Sequence, residues 1–339
     1  MSELENQGIC MIGIAEIERA QVALEGVVRI TPMNYSVSLS EVAGSDVFLK
    51  LEQQQFTGSF KLRGASNAVS NLDKVEKLRG VVGVSTGNHG RGLAHAAKKA
   101  GVRCVICMSE LVPQVKIDGI RSEGAEIRII GRSRDEAEIE AERLVKDEGM
   151  VMVPPFDHPD IITGQGTLGL DAIAQVPDME TAIVPLSGGG LMSGVATALK
   201  ARNPDIRIVG VTMERGAAMY ECIKAGQYVE VEELPTLADS LGGGIGANNQ
   251  YTFNIVRGLV DEYVLVSETE IAEAIRHAYW KERQVLEGSG SVAIAAVLSG
   301  KLKPKGKTVL FCCGGNIDMS VHHRIISGED VDVTKEVKS

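Results

Sequence analysis

The sequence predicts an α/β protein made of two open parallel-sheet units with flanking helices. Three observations carry that expectation. Short β-branched runs alternate with helix-periodic stretches along most of the 339 residues. The strand-like runs are continuously apolar, as strands covered on both faces by helices require. The length exceeds one ordinary domain, so two layered units are expected.

The elements follow in order. Residues 80–85, GVVGVS, read as a buried strand, and the GRGLAHAAKKAG after them as a helix. Residues 103–108, RCVICM, form the next strand and PQVKIDGIRSEG the next helix. EIRII follows, then SRDEAEIEAERLVKDEG, a helix with a clear polar face. Later strands are TAIVPL (181–186), RIVGV (207–211), EYVLV (262–266) and TVLFCC (308–313). We divide the chain into a discontinuous large unit (1–79 and 156–325), a small unit (80–155) and a C-terminal tail (326–339). Ligands of open parallel sheets sit at the carboxyl ends of strands, so the glycine-rich strand ends hold the site.

Composition excludes several classes. With 44% hydrophobic and 24% charged residues the chain is globular. A formal net charge of −10 argues against a nucleic-acid or anionic-membrane binder, both of which need a basic face. No apolar run approaches the roughly 20 residues of a membrane span. The start, MSELENQGIC, lacks the pattern of a signal peptide, and six cysteines in this length make no disulfide framework. A cytoplasmic address is the default expectation. The C-x-x-C of Cys104 and Cys107 lies inside a strand with its thiols on opposite faces, and no second pair completes a zinc site.

Four segments carry chemistry. SFKLRGA sets Lys61 after Thr57-Gly58 and Phe60, the setting of a lysine held and partly desolvated. STGNHGRG (85–92) joins a strand to a helix, where free N–H groups seat a carboxylate. SGGGLMSG (187–194) follows a strand with glycines that close around a phosphate. CCGGN (312–316) ends the last strand. Taken singly each has a bland reading: a solvated lysine, a capped turn, a common glycine loop, two core thiols. GKLKPKGKT (300–308) fails as a P-loop because its spacing is one too long and it precedes a strand. GGGLMSG fails the dinucleotide fingerprint because Ser193 stands at the last glycine position. One cofactor joins all four segments. A phosphorylated aldehyde needs a Schiff-base lysine, a phosphate cradle, a ring-nitrogen partner and a nearby carboxylate seat, which describes pyridoxal 5′-phosphate.

With these motifs in this order, the chain resembles the threonine/serine dehydratase and serine racemase family of fold-type II pyridoxal-phosphate enzymes, whose architecture is that of the tryptophan synthase β-subunit. The likeness runs from about Ile14 to about Asp318, and GQGTLGLD and LEGSGSVA also resemble family segments. It implies that Lys61 holds the cofactor, that Phe60 packs beside its ring and that Asn88 bonds its 3′ oxygen. Gly188, Gly189, Gly190 and Leu191 would hold the phosphate, with Ser187 standing where another glycine is usual. Cys313 would face the ring nitrogen where serine is common, leaving that nitrogen unprotonated and favouring elimination. Ser85, Thr86, Gly87, Asn88 and His89 would receive the substrate carboxylate. Relatives with a divalent-cation site carry acidic residues where this chain has Thr212 and Ala218, so we expect no metal there.

The resemblance implies a dehydratase that eliminates water from a 3-hydroxy amino acid to give a 2-oxo acid and ammonia, with Lys61 taking the Cα proton. Racemases of the family have serine at the place of Thr86, whose extra methyl restricts χ1, so we expect racemisation to be weak or absent. Threonine or serine is the generic substrate; a hydroxyectoine-derived diamino acid and 3-hydroxyaspartate are the alternatives. The substrate side chain is expected against residues 155–160 and 239–246, with Arg63 and Arg215 as candidate partners for a second carboxylate. A homodimer is the family expectation. The chain ends soon after CCGGN, which suggests a catabolic enzyme without a regulatory domain.

Overall fold

The structure is a computed structural model, and it describes residues 12–85, 87–112 and 114–331. Its strands are β1 (Met33–Tyr35), β2 (Val47–Leu51), β3 (Val81–Val84), β4 (Cys104–Met108), β5 (Glu126–Ile129), β6 (Val151–Met152), β7 (Thr181–Pro185), β8 (Arg207–Met213), β9 (Glu262–Val266) and β10 (Thr308–Cys312). They form a six-stranded sheet, β1-β2-β10-β7-β8-β9, and a four-stranded sheet, β5-β4-β3-β6. The four-stranded sheet is wholly parallel. In the larger sheet only β1 runs antiparallel, pairing with β2. The sequence reading missed β1, β2 and β6; β1 and β6, at three and two residues, are too short to show a period.

The helices are α1 (Ile14–Ala23), α2 (Val37–Ala43), α3 (Lys61–Asn71), α4 (Lys74–Arg79), α5 (Asn88–Ala100), α6 (Gln114–Ser122), α7 (Arg134–Glu148), α8 (Pro159–Gln175), α9 (Gly190–Arg202), α10 (Ala218–Ala225), α11 (Thr252–Leu259), α12 (Glu268–Trp280), α13 (Gly288–Leu298) and α14 (Met319–Ile326). Local chemistry sets several starts. Asp73/Glu76, Ser133/Glu136 and Ser267/Glu270 form reciprocal capping boxes at α4, α7 and α12.

Both sheets are covered on both faces. One face of the large sheet packs against α2, α12 and the almost wholly buried α13, the other against α8 and α9. In the small sheet Cys104 faces the core shared with α3, α5 and α6, while Cys107 faces α7. The two thiols thus take opposite faces, as strand periodicity requires. The glycines of GQGTLGLD let helices touch: a Cβ on Gly164 of α8 would stand 2.7 Å from Gly64 Cα of α3, and one on Gly169 would stand 2.9 Å from Ala198 Cβ of α9.

The topology places the site. From β7 the chain passes through α9 to β8 on one side, while β10 fills the other. From β3 it passes through α5 to β4 on one side, and β6 fills the other. Each sheet therefore has a point where strand order reverses, and a crevice opens there at the carboxyl ends. The strands at these two points lead into Ser85, Pro155, Ser187 and Cys313.

Candidate active site

Lys61 is the first residue of α3, and a backbone zipper delivers it to the crevice. The Phe60 N–H donates to the Cys313 carbonyl (3.1 Å), and the Gly315 N–H to the Gly58 carbonyl (3.0 Å). Ser59 bridges Gly314 between them. Gly58 has a φ of +74°, and a Cβ there would meet Asn316 Oδ1 at 2.5 Å, which explains the glycine before the lysine motif. Lys61 Nζ donates to the Pro155 carbonyl at 2.6 Å and lies 5.3 Å from the Phe60 ring centroid. Burial lowers its pKa to about 8, against a smaller upward pull from Cys313. Near neutral pH a minor but usable fraction is therefore free amine, far more than for a solvated lysine.

A cavity opens beside it. It is lined by Phe60, Lys61 and Asn88, by the glycine loop 187–190, and by Phe156, Glu287, Ser289 and Cys313. Gly189 takes a φ of +90°, which only glycine adopts readily, and a Cβ on Gly188 would stand 2.4 Å from the Phe156 ring. Ser187 does not take a positive φ, so its replacement of the usual glycine brings no strain there. The loop runs into α9, whose first N–H groups are free of helical partners until Ser193 N–H reaches the Gly189 carbonyl (2.7 Å). This is an anion cradle closed to side chains, and it fits a phosphate.

Across the cavity, α5 begins at Asn88. Ser85 Oγ accepts from the Gly90 N–H (2.9 Å) and the Gly87 N–H (3.3 Å), and Arg91 N–H donates to the Gly87 carbonyl. Asn88 and His89 are left with the first-turn N–H groups of the helix, a seat for a carboxylate. The His89 imidazole is turned away: its Nε2 meets the Val153 carbonyl at 2.8 Å and so carries the proton. Burial, and then Lys61, hold its pKa down to about 3, so it is neutral. Thr86 lies outside the described residues.

Cys313 is buried, and its thiol reaches the Ser289 carbonyl at 3.5 Å. Burial and the neighbouring Glu287 push its pKa well above the ordinary thiol value, so it is a neutral donor. The Ser289 hydroxyl, also buried, lines the cavity without a protein partner.

Several expectations need correction. Arg63 is not free for a substrate: it binds Glu52 through Nε (2.9 Å) and Nη2 (2.8 Å), and Asp171 at 2.8 Å. Within 155–160 only Phe156 reaches the cavity. Asp157 instead caps α11 by accepting from the Gln250, Tyr251 and Thr252 N–H groups. Within 239–246, Ser240 and Leu241 line it, while Asp239 forms an ion pair with Lys116 of α6. Glu214, the lone carboxylate near the expected metal-free segment, is held by the Lys301 ammonium at 2.8 Å. Sequence reading missed Glu287 and Ser289 as lining residues, while Phe156 lies in the expected 155–160 wall. LEGSGSVA was visible as a segment, but nothing in it told which side chain turns inward.

The fold and this crevice define a pyridoxal-phosphate enzyme of fold-type II. The sequence pattern of the family described as pyridoxal-phosphate dependent enzymes matches residues 24–314, and the chain belongs to that family. A provisionally named threonine dehydratase of Sinorhizobium fredii is 54% identical over 329 residues, covering 97% of this chain and 98% of that one. The L-threonine ammonia-lyase of Thermotoga maritima is 43% identical, covering 94% of this chain and 79% of that one. Among solved structures, maize serine racemase superposes with a TM-score of 0.88 at 34% identity, covering 93% of this chain and 97% of that one.

Proposed function

We propose that this chain is a pyridoxal-phosphate-dependent dehydratase that eliminates water from a small 3-hydroxy amino acid, threonine or serine, giving a 2-oxo acid and ammonia. One observation carries the reading: a desolvated lysine with a depressed pKa stands between an anion cradle at α9 and a second set of free N–H groups at α5. The threonine ammonia-lyase relatives support it.

The cofactor supplies a carbonyl that binds the amino group and a conjugated ring that withdraws electrons from Cα. The chain does the rest. Lys61 is the attachment and, once free, the base at Cα; its low pKa keeps it competent near neutral pH. Phe60 would pack beside the ring, and residues 187–191 would hold the phosphate. Asn88 would donate to the ring oxygen, and Cys313 would offer a neutral thiol to the ring nitrogen. The Asn88 and His89 N–H groups, within the 85–89 loop, receive the substrate carboxylate.

Among the described residues the cavity lining includes no arginine and one carboxylate, Glu287, which favours a neutral side chain over 3-hydroxyaspartate. A hydroxyectoine-derived diamino acid is kept as a candidate. Racemisation is a second reading, favoured by the likeness to maize serine racemase. For assembly we propose a cytoplasmic homodimer; the exposed Val27, Ile30 and Phe56 supply apolar surface for it. We also propose that residues 80–155 act as the small unit against 1–79 and 156–325, with 326–339 as a tail.

Purified protein loaded with pyridoxal phosphate is tested for ammonia release from threonine, serine, 3-hydroxyaspartate and a hydroxylated diaminobutyrate. Release from serine or threonine, lost in Lys61→Ala, is expected. Silence across the panel with the cofactor bound would refute the dehydratase reading, and D-amino acid formation would replace it with the racemase.

A further inference from the structure

Glu287 is a buried carboxylate with no assigned task. It precedes α13 at the N-cap position, yet its side chain makes no capping bond to that helix. It is 3% exposed, and among the described residues no cation pairs with it. An unpaired buried carboxylate is costly, so its position calls for a function.

Its partners identify one. Glu287 Oε1 accepts from Asn88 Nδ2 at 2.7 Å, and Oε2 accepts from the Asn316 N–H at 3.1 Å. Asn316 Nδ2 in turn donates to Asn88 Oδ1 at 2.6 Å and to the Thr57 carbonyl at 2.9 Å. Arg91 Nη1 donates to Asn316 Oδ1 at 3.0 Å. The chain of bonds has a fixed polarity. It begins at a guanidinium, which can only donate, and ends at a carboxyl whose two oxygens both accept from N–H donors. Both amides between them are therefore oriented by chemistry and cannot flip without breaking bonds at each end.

We infer that Glu287 is a positioning residue: it locks the Asn88 amide so that the remaining N–H of Asn88 is presented to the cavity, selecting an oxyanion there. This rests on the reading that Asn88 meets the cofactor's ring oxygen. The glycines of CCGGN fit the same device. A Cβ on Gly314 would stand 2.3 Å from Glu287 Oε1, and one on Gly290 would stand 2.3 Å from the Gly314 carbonyl oxygen. Only a bare backbone at 314 admits the carboxylate.

Burial pushes the Glu287 pKa up to about 7, with Asp239 adding to the rise and Lys116 opposing it. Cys313 and Lys61 also face this region. The cost of keeping the charge is thus balanced near neutrality by the two N–H donors.

The test uses the full-length protein, stripped of cofactor and titrated with pyridoxal phosphate. Three quantities are read: the dissociation constant, the position of the visible absorption band and the melting temperature without cofactor. Glu287→Gln keeps the shape but faces one of the two donors with an amide N–H. The expected result is a dissociation constant raised by about tenfold or more, since a buried donor loses its acceptor. A displaced visible band and a cofactor-free melting temperature that does not fall are expected with it. Gly314→Ala, which leaves the carboxylate's chemistry intact but crowds it, should give the same pattern. In an Asn88→Ala background the effect of Glu287→Gln on affinity should vanish. An equal effect in that background, or a lowered melting temperature with unchanged affinity and band, would overturn the inference. If instead the unmutated protein forms no visible band, or Lys61→Ala keeps it, the reading of the site itself fails.

Discussion

Replacing Lys61 by methionine should stabilise the cofactor-free protein while abolishing its chemistry. Burial holds the Lys61 pKa at about 8 against an ordinary value of 10.5. Below pH 8 both folded and unfolded chains carry the ammonium, and the folded state bears the full cost of burying it. That gap corresponds to about 3 kcal/mol at most. Methionine fills similar space without charge but abandons the Pro155 carbonyl, which costs about 1 kcal/mol. The net gain at pH 7 is about 2 kcal/mol, or a melting temperature raised by about 3 °C. The sign with pH follows from proton binding. Between about 8 and 10.5 the unfolded chain binds a proton that the folded chain has lost, so the unmutated protein gains stability as pH rises. The advantage of the variant should therefore be largest below pH 8 and disappear by about 10.5. Denaturant titrations of both proteins from pH 6.5 to 10.5 measure this difference. A variant less stable at pH 7, or a difference independent of pH, would refute the claim that this amine is held in a desolvated, strained poise.

Three further outcomes are expected. Arg63→Met leaves Glu52 and Asp171 buried without their cation and should cost about 3–5 kcal/mol in urea unfolding; a loss under about 1 kcal/mol would mean the cluster is hydrated. Burial pushes Cys104 up to about 12 and Cys107 up to about 11, and Cys312 and Cys313 upward too, so none should react with iodoacetamide in the native protein at pH 8. Mass spectrometry showing rapid alkylation at any of these four contradicts that. His89 is held near 3 against an ordinary 6.5, so below pH 6.5 the unfolded chain binds a proton the folded chain refuses, and stability falls as pH drops toward 3. His89→Gln should flatten that slope by about one proton between pH 6 and 4; an unchanged slope would show that His89 ionises in place.

Much of this protein was legible in its sequence because the relevant physics is local. Continuous apolar runs fixed the strands of two parallel sheets, and glycine-rich strand ends marked where a ligand sits. Phe60-Lys61, the 85–90 turn, Gly188–Gly190 and Cys313 are all drawn to the crevice by strand ends whose position follows from alternating β and α elements. What sequence could not decide were the commitments made across the fold. Arg63 looked available to a substrate until Glu52 and Asp171, 11 and 108 positions away in the chain, were seen to consume it. Asp157 looked like a pocket wall until it proved to cap α11. Glu287 sits in LEGSGSVA, a segment visible in the sequence, but its side chain gave no signal of its own, because a carboxylate before a helix reads as an ordinary cap. Its inward turn depends on a glycine at 314 and an amide at 88, brought together only when the ends of β3 and β10 meet over one cavity. Periodicity and backbone propensity are properties of neighbours in sequence. The pairing, orientation and ionisation of buried polar groups belong to neighbours in space, and only the tertiary structure supplies those.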